Sequence, residues 1–431
     1  MSNSVFAVFL IPLVAPILLR AVRAARGRSD NGDAAAQQKA KDVRAPAYVP
    51  PTFKVVALGA SGAGKTVFLA SMFHKLNFQA PNRSYYLQTD ARQRVALGRI
   101  YSTISDTAQG WPVGTREGET REFVFDCVGV DASNAQHTVL RMSYLDYAGE
   151  LLGVDKEPGG APLDDLAERI KEADALLGMI DGRHVLQLLR NERAGREYFQ
   201  HSLQPMFGFM QAASCPIHLI LTKWDLVRDY AGPSEASDQV LLDRVIDALM
   251  GYEHIKSLVY VHSRNQIVRL IPVSAVGSSF AELDGAGKVV KRADGEMRPT
   301  NVEVPLCAVL PDLFKQIEAS LDQSAQRGVN AEMLRQMRRD GASMAVTALG
   351  RPLRLVLQGA LGRDAGVEAA TLFLEWLARP STEEGALNRA RTSLEHQVAE
   401  LQRLRVSVIE DFKRTVLRLE AVLPNSQLSQ T

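Results

Sequence analysis

From Phe53 onward the chain alternates short apolar runs with stretches whose apolar residues recur at helical spacing. The apolar runs are FKVVAL at 53–58, REFVFDCVGV at 121–130, HTVLRMSYLD at 137–146, ADALLGMID at 173–181, PIHLILTKWD at 216–225 and QIVRLIPVSA at 266–275. Several are almost unbroken in apolarity, as expected of strands covered on both faces of a parallel sheet. Between them, 66–76, 91–105, 163–172, 184–203 and 238–250 carry helical periodicity. The pattern predicts an α/β fold with a mostly parallel central sheet flanked by helices, and no internal repeat breaks it.

Past Val309 the strand signals stop, and a helix over Leu310 to Leu321 is expected to close the α/β domain. The remainder of the chain reads as an all-helical C-terminal extension. Its segment 384–421 sets Leu, Val and Ile on one face among charges, which fits a long helix paired within its own domain or against a partner. The earlier LGRPLRLVLQGALG at 349–362 fits either core or a docking surface.

At the other end, Val5 to Leu19 carries no charge and is followed by Arg20, Arg23, Arg26 and Arg28. A cleaved secretory signal has its charges before the apolar run, so the order here is reversed. As a helix the run reaches only roughly 23 Å, against a hydrocarbon core of ~30 Å, and Pro12 and Pro16 weaken it. Snorkelling by Arg20 extends its reach. We expect a membrane contact through residues 5–19, with the rest of the chain held at the cytoplasmic face by the arginines; the alternative is a hydrophobic tail that is disordered or buried by a partner. The expected division is a hydrophobic segment over 1–26, a polar, proline-tipped linker over 27–51, an α/β domain over 52–322, the helical extension over 323–424 and a tail over 425–431.

Charge adds little, because 50 basic side chains face 49 acidic ones, which excludes bulk electrostatic capture of nucleic acid. Cys127, Cys215 and Cys307 form no CxxC pair, which disfavours a zinc site or a disulfide framework and fits a reducing cytoplasm.

Directly after the first strand stands Gly59-Ala60-Ser61-Gly62-Ala63-Gly64-Lys65-Thr66, a full GxxxxGK[ST] match. Glycines there let successive N–H groups turn inward around phosphates at a helix N-terminus. Lys65 then reaches the β- and γ-phosphates, and the Thr66 hydroxyl suits Mg²⁺. Three further patterns come in order, each after a strand candidate: Asp146-Tyr147-Ala148-Gly149 (DxxG), Thr222-Lys223-Trp224-Asp225 (TKxD) and Ser274-Ala275-Val276-Gly277 (SAxG).

Taken together, the four resemble the TRAFAC class of P-loop GTPases over about Phe53 to Leu321. The resemblance implies a G domain that binds GTP and GDP with Mg²⁺. Thr66 and Asp146 would serve the metal, and the Gly149 N–H would meet the γ-phosphate. Thr222, Lys223 and Asp225 would read the base, with Lys223 along its face, and the Ala275 N–H beside Ser274 would meet guanine O6. The Asp225 carboxylate suits guanine because it accepts from N1–H and N2–H together, a donor pair that adenine lacks.

The loop Trp111-Pro112-Val113-Gly114-Thr115 is similar to the switch I region of bacterial double-GTPase-like proteins. On that resemblance Thr115, with Thr120 as second choice, would bind the metal and sense the γ-phosphate. A structural alternative is that Trp111 and Pro112 only anchor the loop. Glu150 stands where many relatives place a water-orienting glutamine. A carboxylate beside γ-phosphate charge implies slow turnover without a partner. Arg116 and Arg121 are either solvated charges or arginines acting in cis. The separation of Lys65 from Asp146 is roughly twice that of a minimal G domain, which argues against a plain signalling GTPase. The expected activity is GTP hydrolysis as a switch on an unknown protein effector, with a homodimer possible. The rival readings are a dynamin-like or scaffold GTPase assembling through its helical extension, and an ATP-binding P-loop module.

Overall fold

The computed structural model describes residues 50–114, 120–131, 133–147, 161–231, 237–264, 266–326 and 388–428. Residues 1–49, and with them the expected membrane contact, lie outside these. Among the described residues no helix is long and apolar enough to cross a membrane.

An eight-stranded sheet forms the centre: β1 (Thr52–Gly59), β2 (Tyr85–Gln88), β3 (Thr120–Val130), β4 (Gln136–Tyr147), β5 (Ala175–Asp181), β6 (Ile217–Thr222), β7 (Val268–Pro272) and β10 (Gln427–Leu428). Its order is β10-β7-β6-β5-β1-β4-β3-β2. The pairs β4–β1, β1–β5, β5–β6 and β6–β7 are parallel; β2–β3, β3–β4 and β7–β10 are antiparallel. Strands β5, β6 and β7 are buried at every position, which is why their sequences show no alternation. The sheet is therefore the expected mostly parallel one, flanked by helices.

Those helices are α1 (Lys65–Leu76), α2 (Ala91–Ser105), α3 (Ala161–Lys171), α4 (Gly182–Leu189), α5 (Arg193–Glu197), α6 (Gln204–Met210), α7 (Trp224–Ala231), α8 (Asp238–Met250), α9 (Glu253–His262), α10 (Val304–Gln326) and α11 (Asn388–Val422). Helix α2 starts where the pattern placed it because the Asp90 carboxylate accepts from the Arg92 and Gln93 N–H groups at 2.8 and 2.9 Å. The single helix expected over 184–203 is instead broken. Asn191 adopts a left-handed φ of 58° after α4, and a π turn over Tyr198–Ser202 separates α5 from α6. Helix α10 begins at Val304 rather than Leu310, with Pro311 inside it.

Four short strands and the helices α6, α7 and α9 were absent from the sequence expectation. Strands β8 (Ala281–Leu283) and β9 (Val289–Lys291) form a separate hairpin, and β2 and β10 are sheet edges of four and two residues. Runs this short hold no readable period.

The chain divides into two compact units. One comprises 52–316 and 403–431, so residues 403–428, which the sequence pattern assigned mostly to the extension, belong with the α/β domain. The other takes in, among described residues, helical backbone at 317–326 and 388–402.

Within the first unit a buried charge cluster fastens the C-terminal part of α11. Arg269 of β7 donates to both Asp312 carboxylate oxygens of α10 at 2.8 and 2.6 Å, and His218 of β6 lies 2.9 Å from the same carboxylate. All three side chains are fully buried. Arg269 also reaches Glu420 of α11 at 3.0 Å. Burial alone raises the Asp312 carboxyl, but the hydrogen bonds from Arg269 and His218 outweigh it and hold its pKa well below the ordinary carboxylate range.

Removing one partner leaves an uncompensated buried charge, so Asp312→Ala is expected to cost about 3–5 kcal/mol in urea unfolding. The depressed Asp312 pKa contributes stability that is present above the unfolded value of ~3.9 and lost as pH falls through the folded value. Asp312→Asn should therefore flatten the acid limb of the stability curve measured below about pH 4.

Candidate functional site

Strand β1 hands the chain to the loop at Gly59, and the loop closes into α1 at Lys65. Gly62 and Gly64 have φ of 76° and 89°, the left-handed region where a side chain is strained. Gly64 is the cap residue of α1, and its carbonyl takes the Phe68 N–H at 2.8 Å, so the helix N-terminus opens onto the loop. Lys65 is buried; its ammonium turns onto the loop's own carbonyls, 2.7 Å from Gly59 O and 3.3 Å from Ala60 O. Ser61 is exposed, Ala63 is buried, and Thr66 is half-buried in the first turn.

The end of β6 meets this loop directly. The Thr222 hydroxyl lies 2.8 Å from Ala63 O and 3.1 Å from Ile180 O, sharing its single proton between them. Lys223 has a left-handed φ of 53° and donates from Nζ to Gly62 O at 3.0 Å and to Asp181 Oδ2 at 2.7 Å. Asp225 is 3% exposed, and its Oδ1 accepts from Ser274 Oγ at 2.5 Å. Ser274 Oγ in turn accepts the Gly277 N–H at 2.8 Å, which shapes the turn after β7 and leaves Ala275 half-buried beside it. Burial pushes the Asp225 carboxyl up to about 6, against the opposing pull of the Ser274 hydrogen bond.

Asp146 lies near the end of β4, 2% exposed, opposite Ala57 of β1 and Arg121 of β3. Thr120 begins β3 opposite Tyr147. Thr115, Arg116, Gly149 and Glu150 lie outside the described residues. Asp146 and Thr66 are the donor types that hold Mg²⁺ alongside phosphate oxygens, one carboxylate and one hydroxyl rather than a full protein cage. Among the described residues no group of three or more His, Cys, Asp or Glu could hold a metal ion.

The loop leading to residue 115 is held by the β8–β9 hairpin. Trp111 Nε1 donates to Val289 O at 2.9 Å, and its ring meets Phe280 edge-on at 6.3 Å. Lys291 Nζ sits over the same ring at 5.1 Å and donates to Thr103 O, Asp106 O and Gly110 O at 2.5, 2.8 and 3.3 Å, which caps the C-terminal end of α2. The same hairpin region returns to the turn after β7, where Ser274 and Thr300 exchange backbone hydrogen bonds at 3.1 and 2.8 Å.

Sequence reasoning missed Asp181, Gly182 and Tyr198. Asp181 Oδ1 caps α4 through the Arg183 N–H at 2.9 Å, and the Asp181 N–H donates to the Tyr198 hydroxyl at 3.1 Å. The signal that could have found the first of them was an aspartate closing an apolar strand immediately before a helix, an N-cap pattern. His184 stacks on Tyr198 at 4.1 Å, and burial lowers its pKa.

No protein-family model and no curated protein matches this chain. Among solved structures it is similar to sup35 complexed with GDP, at 15% identity over 62% of this chain and 48% of that one, with a TM-score of 0.28. It is similar to the S. cerevisiae Ski7 GTPase-like domain bound to GTP, at 13% identity over 57% and 48% of the two chains, TM-score 0.32. It is also similar to the G domain of the T. maritima FeoB iron transporter, at 13% identity over 52% and 88%, TM-score 0.23. The matched part spans about half the length of the first two.

At Gly182 an added Cβ would stand 2.2 Å from Thr222 O and 2.9 Å from Lys223 O. Gly182→Ala must therefore push the start of α4 away from the end of β6, and should cost about 1–3 kcal/mol by urea denaturation.

Proposed function

We propose that the chain binds guanine nucleotide and hydrolyses GTP to GDP and phosphate as a switch on a protein partner. The observation that carries this reading is the buried Asp225 carboxylate, held by Ser274 in a motif whose preceding residues, Thr222 and Lys223, are hydrogen-bonded to the phosphate loop. A loop that cradles phosphates and a carboxylate suited to the guanine N1–H and N2–H pair thereby belong to one site. An ATP-binding reading leaves that buried carboxylate only its hydrogen bond with Ser274.

In the proposed complex the loop N–H groups and the α1 N-terminus take the phosphates, and Lys65 exchanges the Gly59 and Ala60 carbonyls for β- and γ-phosphate oxygens. Thr66 and Asp146 would hold Mg²⁺, with Thr115 completing the set. The ion, when bound, neutralises charge on the β- and γ-oxygens. Water attacks the γ-phosphorus as the bond to the β–γ bridging oxygen breaks, releasing GDP and inorganic phosphate. Glu150 beside the γ-phosphate favours slow turnover until a partner contributes positive charge. The proposal extends to a bacterial double-GTPase-like protein tethered by residues 5–19 to the cytoplasmic face of a membrane.

Displacement of a fluorescent guanine nucleotide by GTP and GDP but not ATP, with Asp225→Asn shifting preference to xanthine nucleotide, is the expected result. Equal displacement by ATP would overturn the reading.

The raised Asp225 pKa adds a pH dependence. Guanine needs the ionised carboxylate, so GDP affinity should fall as pH drops below about 6, approaching tenfold per unit. Ser274→Ala removes the hydrogen bond that holds this pKa down and should move the onset upward by about one unit. Phosphate titration is common to both proteins, so the difference in onset measured by calorimetry isolates Asp225.

A further inference from the structure

We infer that Asp181 is a positioning residue for nucleotide binding, acting through Lys223 without touching the ligand. This rests on the guanine-nucleotide reading of the site. Asp181 closes β5, between β1 with the phosphate loop and β6 with Thr222 to Asp225. Its carboxylate is 2% exposed and its two oxygens have separate roles: Oδ1 caps α4, and Oδ2 takes the Lys223 ammonium at 2.7 Å.

Lys223 needs such a partner. Its left-handed backbone sends a long side chain back across the site, where the other acceptor is a single loop carbonyl, Gly62 O at 3.0 Å. Holding four rotatable bonds in one arrangement is entropically unfavourable, and a charge-assisted hydrogen bond to a fixed acceptor offsets that cost. Asp181 is fixed from its own side by the Tyr198 hydroxyl on its N–H and by the close contact of Gly182 with Thr222. Asp181 thus locks Lys223 at once against the phosphate loop and along the edge where the base would lie. Its loss should loosen GDP and GTP alike and leave the choice of guanine over adenine to Asp225.

The test uses the full-length chain and the release rate of fluorescent GDP by stopped flow. Asp181→Asn keeps a cap for α4, since an amide oxygen accepts the Arg183 N–H, but removes the charge opposite Lys223. It should speed release about ten- to a hundredfold, with GTP and GDP affected equally and thermal midpoint little changed. In a Lys223→Met background the same substitution should have almost no further effect, because the two act as one unit. Asp181→Ala should speed release similarly and also lower the thermal midpoint through loss of the cap. Equal acceleration in both backgrounds, or unaltered release by Asp181→Asn while the unsubstituted chain binds GDP, overturns the inference alone. Failure of the unsubstituted chain to bind GDP overturns the nucleotide reading and the inference with it.

Discussion

Two hydrogen bonds from consecutive residues at one strand end, Thr222 Oγ1 to Ala63 O and Lys223 Nζ to Gly62 O, tie the glycine-rich loop after β1 to the segment carrying Asp225. A glycine-rich loop is otherwise free to sample many backbone states, and its carbonyls point away from the phosphates it would cradle. Fixing the Gly62 and Ala63 carbonyls, together with the Ala63 N–H bond to Ala60 O at 3.2 Å, restricts the backbone states open to the loop. The arrangement requires β1, β5 and β6 to lie side by side with their C-terminal ends level, and the parallel register provides this: Gly59 pairs with Met179, and Asp181 with Thr222. Asp146 on the opposite neighbour, β4, and Ser274 just past β7 extend the same row.

The outer parts of the domain serve that row at a distance. The hairpin β8–β9 grows from the chain after Ser274 and seizes Trp111 and the end of α2, so the loop preceding residue 115 and the turn beside Asp225 share a support. At the other edge, β10 adds to β7, and the Arg269–Asp312–Glu420 cluster joins β7, α10 and α11. His218 in that cluster lies on the strand that ends at Thr222. Buried charge of this kind adds little net stability relative to apolar packing, but it permits few alternative pairings. It sets how α11 returns to the sheet.

Residue type and spacing were sufficient for the parts of this protein whose physics is local. Continuous apolarity marked β5 to β7 because both their faces are covered, and helical periodicity over 91–105 marked α2, whose start the Asp90 cap then fixes within one turn. The glycine spacing from Gly59 to Gly64 marked a tight turn between strand and helix, because the left-handed φ angles at Gly62 and Gly64 restrict the residues allowed there. The order of Asp146, Asp225 and Ser274 along the chain was legible as well, each falling at or just beyond a strand's C-terminal end. Only the tertiary structure decided that Asp181 faces Lys223, that Lys291 closes on Trp111, that the helix is interrupted at Asn191, and that residues 403–428 rejoin the sheet through β10. These depend on partners far apart in sequence or on edges of two to four residues. Such contacts are selected by the packing of neighbouring strands and helices, which leaves no period in the sequence from which to read them.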